Sequence, residues 1–118
     1  MKPEIYKQWE EVVSHYRRVD EFLKDNKIEE AEKESYAAIF LGFRAIFELS
    51  QELKIPELAE NVNNAISDWL ERGEKHRTPK EKIEWSCGTL KRLSESFPPD
   101  IPPLRELFRP GNFKSLFG

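Results

Sequence analysis

The chain has 118 residues with 19 basic and 22 acidic side chains, 38% hydrophobic and 35% charged. It is long enough for one domain with a real core, too polar for a membrane protein, and with 14 aromatics too apolar for a disordered one. One cysteine excludes an internal disulfide framework and favours a reducing compartment, and five glycines leave little room for a glycine-rich phosphate loop.

The opening residues, Met1 to Lys7, lack an apolar core of signal-peptide length. The longest apolar run, Tyr36 to Phe47, would rise only about 18 Å as a helix, short of the ~30 Å hydrocarbon core of a bilayer. The expectation is a cytoplasmic protein with no membrane contact. Residues 1–60 hold 9 basic and 14 acidic side chains, net −5, while residues 61–118 hold 10 and 8, net +2.

The first helix is expected from about Pro3 to Asp25. Ile5, Trp9, Val12, Tyr16, Val19 and Leu23 recur at alternating spacings of four and three, which makes an apolar seam; Val13 and Phe22 widen it. Asn26-Lys27-Ile28-Glu29 has the residue types of a capping box opening a second helix that runs to about Lys54. That helix carries a large stripe, Tyr36, Ile39, Phe43, Ile46 and Leu53, broadened by Phe40 and Phe47. It also carries a small stripe, Ala31, Ala38, Gly42 and Ala45, ending in Leu49. A helix apolar on most sides is expected to be buried on most sides, and Gly42 suggests close approach of another backbone.

Ile55-Pro56 breaks the pattern. A third helix is expected from Pro56 to about Arg72, with Leu58, Val62, Ala65, Ile66, Trp69 and Leu70 inward and Gly73 as its stop. Thr78-Pro79-Lys80-Glu81 joins a capping threonine, a proline at the first helical position and a glutamate three residues after the cap. The fourth helix continues to about Phe97, with Ile83, Cys87, Leu90, Leu93 and Phe97 inward. Pro98-Pro99-Asp100-Ile101-Pro102-Pro103 then reads as extended and polyproline-like, with a short helical turn over Leu104 to Phe108. The predicted fold is all-α: an antiparallel four-helix bundle over residues 1–97, with a proline-rich extension and aromatic tail over 98–118.

Catalytic constellations are sparse. Glu29-x-x-Glu32 and Glu57-x-x-Glu60 place acid pairs on helix faces, as Mg²⁺-dependent all-α nucleotide pyrophosphohydrolases do, but both occupy first turns, where acids favour the helix dipole. Their motifs do not match that family. Cys87 lies on an inner stripe, where a cysteine packs as a small hydrophobe. His15 has no partner at metal-ligand spacing, and Arg72-x-x-x-His76 has residue types found in some helical ribonucleases, at shorter spacing. No cofactor or metal is expected.

Two contact regions stand out. Arg72, Lys75, Arg77, Lys80 and Lys82, with Trp85 one turn on, have the types needed to meet phosphates and stack one base. In the tail, Leu104, Leu107, Phe108, Phe113, Leu116 and Phe117 are six large apolar residues in fourteen. Leu104, Leu107 and Phe108 fit folding back on the bundle, against Trp85; Phe113-x-x-Leu116-Phe117 fits an anchor on another protein. This ending resembles the terminal peptides that dock on sliding clamps, in which an apolar residue precedes two aromatic ones by three positions. It departs from them in having Pro110 where glutamine is usual and Leu116 for an aromatic.

The functional expectation is a non-enzymatic protein-interaction module, an adaptor, regulator or complex subunit, that forms a homodimer through the second helix. The alternative is a nucleic-acid-associated subunit using Arg72–Lys82.

Overall fold

The structure, a computed structural model, describes residues 3–73 and 77–97. Four helices make an all-α bundle: α1 (Pro3–Lys24), α2 (Ile28–Leu53), α3 (Pro56–Asp68) and α4 (Pro79–Ser94). A five-residue π-helical turn, Trp69–Gly73, extends α3.

Five of the six seam residues of α1, Ile5, Trp9, Val12, Tyr16 and Val19, are buried as their spacing predicts, and the sixth, Leu23, is half-buried. The expected capping box at Asn26 does not form. Asn26 instead adopts left-handed backbone (φ 59), with Lys27 N–H bonded to Phe22 O at 2.8 Å and Asn26 N–H to Leu23 O at 3.1 Å. This pair of bonds is a Schellman motif, which closes the end of α1. A helix N-cap needs extended backbone, so a left-handed Asn26 cannot serve as one. Lys27 takes the cap position without a side-chain hydrogen bond. The end of α2 is built alike: Lys54 is left-handed (φ 57), and Ile55 N–H reaches back to Ser50 O.

Helix α2 is the centre of the bundle and touches α1, α3 and α4. Successive helices alternate in direction, so α4 runs parallel to α2: Glu32, Ser35 and Gly42 meet Lys82, Ser86 and Leu90 in turn. The small stripe is the reason α4 comes so close. Ala38 and Ala45 are fully buried, and a Cβ added to Gly42 would lie 3.0 Å from Leu90 Cδ1. The room at Gly42 is thus taken inside the chain by the Leu90 side chain of α4, and not by the expected second backbone.

Two hydroxyl side chains and a carbonyl in the core satisfy one another, whereas the buried Trp9 indole N–H has no hydrogen-bond partner among the described residues. Ser86 Oγ donates to Ser35 O at 2.8 Å, which leaves the Tyr16 hydroxyl to donate to Ser86 Oγ at 3.1 Å. One hydroxyl relay thereby joins α1, α4 and α2. Tyr16 is fully buried, and loss of water pushes its phenol well above the usual range.

Two inner faces differ from expectation. Leu70 is 65% exposed, because it lies about 100° round the helix from Trp69, which completes the inner face at ordinary helical spacing with its N–H bonded to Ala65 O. Leu53, the last residue of α2, is also exposed. Helix α4 opens with the expected capping box: Glu81 N–H donates to Thr78 Oγ1 at 3.2 Å and Thr78 N–H to Glu81 Oε1 at 3.1 Å. Phe97, just past its end, is buried edge-on against Trp9 with centroids 5.4 Å apart.

Candidate functional site

Side chains from three elements form a row of rings along one side of the bundle. Trp85 of α4 stacks on Trp69 of the π turn, with centroids 4.1 Å apart and planes 25° from parallel. Trp69 meets the edge of Tyr36 of α2 at 6.1 Å. Tyr36 stacks on Phe40 at 6.3 Å, and Phe40 meets Phe43 edge-on at 6.3 Å. Burial varies along the row: Phe43 and Trp69 are buried, Tyr36 and Trp85 are half-buried, and Phe40 is 60% exposed.

Local sequence explains the placement. Helix α2 is covered on three sides by α1, α3 and α4, and its remaining face bears Lys33, Ala37, Phe40 and Arg44, all exposed. Phe40, expected to widen the core stripe, is on this open face instead. Its signal was legible: 33, 37, 40 and 44 follow the same four-three-four spacing as a core stripe, yet two of the four are charged.

The chain matches no family model, no curated protein and no solved structure.

The basic region is only partly gathered at this row. Arg77 and Lys80 are exposed, flanking the start of α4. Lys82 is half-buried and paired with Glu32 at 3.7 Å, so its charge is already engaged. One face of Trp85 is taken by Trp69, which leaves less ring for a base than the sequence suggested. Lys75 and the side chain of Arg72 lie outside the described residues, as do Leu104, Leu107, Phe108, Phe113, Leu116 and Phe117.

Cys87 is fully buried, and desolvation, with the Asp20 carboxylate nearby, pushes its thiol far up and keeps it protonated. His15, Glu34 and Arg18 form an ion cluster between α1 and α2: Arg18 Nε donates to Glu34 Oε1 at 2.8 Å, and His15 Nδ1 lies 3.1 Å from both carboxylate oxygens. Burial alone would raise the Glu34 carboxyl; the hydrogen bonds from His15 and Arg18 outweigh it and hold the group below its usual value. Glu29, Glu57 and Glu60 are exposed. Among the described residues, no three His, Cys, Asp or Glu side chains gather as metal ligands, and no helix is long and apolar enough to cross a membrane. A groove of ≈ 930 Å³ between the start of α1 and the end of α2 is lined by Glu4, Gln8, Glu48 and Glu52 over Ile5.

Proposed function

We propose that the protein is a protein-interaction module, working as an adaptor, regulator or complex subunit in the cytoplasm, that presents the aromatic row and the apolar tail to another chain. The observation that carries this reading is Phe40. A phenylalanine 60% exposed beside a half-buried tyrosine, in a row that continues through two tryptophans, is a surface that gains from being covered. The free, buried Cys87 fits a reducing compartment. Phe113, Leu116 and Phe117 supply a second apolar contact, separated from the bundle by Pro98, Pro99, Pro102, Pro103 and Pro110. A second copy of the chain is the simplest partner, and a two-fold dimer across the open face of α2 is its form.

The test compares the full chain with Phe40→Glu, and with a form lacking residues 109–118, in affinity capture from the native cell and in light scattering at micromolar concentration. Phe40→Glu replaces an exposed side chain, so its melting should be unchanged while a captured partner or the dimer is lost. Undiminished association with both changes would refute the reading. Salt-dependent binding of RNA or DNA that is lost on neutralising Arg77 and Lys80 would favour the nucleic-acid alternative.

A further inference from the structure

The Trp69–Trp85 end of the row lies within reach of the 21 residues that follow Phe97. The described chain ends at Phe97, seated on Trp9. Trp85 lies nine residues before Ser94, where α4 ends, which along the helix is about 14 Å. The six residues 98–103 include four prolines, and a polyproline stretch of that length rises about 19 Å. A segment that turns back after Phe97 is therefore long enough to carry Leu104 to the level of Trp85. Leu104, Leu107 and Phe108 follow at spacings of three and one, which on a single helical turn gives one apolar face with Arg105 and Glu106 beside it. The prolines reduce the chain entropy lost in making that return.

We propose that residues 104–108 dock in cis on the Trp69–Trp85 end of the aromatic row, so that a partner reaches this end only by displacing them. The proposal concerns regulation of the surface described above and rests on that surface being a contact site. Its test involves no partner, so the two fail separately. A row untouched by its own tail would still be open to another protein.

The experiment uses the full chain with Glu106→Cys carrying a nitroxide; the native Cys87, fully buried, does not compete for the label. The readout is the indole N–H resonance of each of the three tryptophans. The expected result is loss of most of the Trp85 and Trp69 intensity with Trp9 much less affected, independent of protein concentration. Adding Leu107→Glu and Phe108→Glu should restore the intensity. Isotope-labelled chains mixed with unlabelled nitroxide-bearing chains should show no loss. Equal attenuation of the three indoles, or retention of the Trp85 signal, would overturn the proposal. So would loss in the mixed sample, which would assign the occupant to a second copy of the chain.

Discussion

Gly42 gives the sharpest check on the packing. Replacing it with alanine has two opposed effects. In a helix interior, alanine is favoured over glycine by about 1 kcal/mol. Against this, the new Cβ would lie 3.0 Å from Leu90 Cδ1 and 3.6 Å from Cδ2, where apolar carbons ordinarily sit about 3.5–4.0 Å apart. Leu90 is fully buried, so its methyl has little room to retreat. Overpacking of this kind costs about 1–3 kcal/mol, and the net effect of Gly42→Ala should be a loss of about 1 kcal/mol. The decisive measurement is the cycle with Leu90→Ala, read by urea denaturation. Leu90→Ala alone should cost about 2–5 kcal/mol. In the Gly42→Ala background the added methyl fills part of the space, and the same truncation should cost about 1 kcal/mol less. Costs that add to within about 0.5 kcal/mol would show that residues 42 and 90 are not neighbours. A Gly42→Ala effect that grows with protein concentration would place the small stripe at an interface between chains instead.

Phe43→Ala removes a buried ring that is braced by Phe40, and should cost about 3–5 kcal/mol in a denaturant titration; a loss under ~1 kcal/mol would show the position to be exposed or interfacial. Lys54→Gly should raise stability by about 0.5–1 kcal/mol, because Lys54 is exposed and holds left-handed backbone that glycine adopts freely; a destabilised variant would contradict this conformation. Glu34, held below its usual 4.5, contributes stability that is present above that value and is lost as the pH falls through its lowered folded-state value. Thermal melts from neutral pH down through the carboxylate range should therefore show a shallower acid decline for Glu34→Gln than for the native chain, and parallel declines would refute the assignment.

The helices were legible because their cores are periodic. The seam of α1 and the inner face of α4 needed only spacing, and the Thr78–Glu81 box needed only residue types at a fixed offset. Asn26 misled because asparagine suits both an N-cap and a left-handed helix end, and the choice is made by the reversal of the chain between α1 and α2. The small stripe was recognised but what fills it was not, since spacing shows room beside Gly42 and does not say that a leucine side chain, rather than a backbone, takes it. Topology decides that: with α2 in the centre, the second helix running parallel to it fills the place.

The aromatic row was hidden for a related reason. Sequence patterns assign a residue to a face of its own helix, whereas Trp85, Trp69, Tyr36 and Phe40 come from three elements and meet only once those are packed. Trp69 is what joins them. Its backbone is still α-helical, with its N–H bonded to Ala65 O, and it follows Leu58, Val62 and Ala65 at spacings of four, three and four on the inner face of α3. It therefore reaches both Trp85 and Tyr36, while Leu70, about 100° further round the helix, faces water at 65% exposure. Two neighbouring residues at the end of one helix thus close the core with one large side chain and add another to the apolar surface beside it.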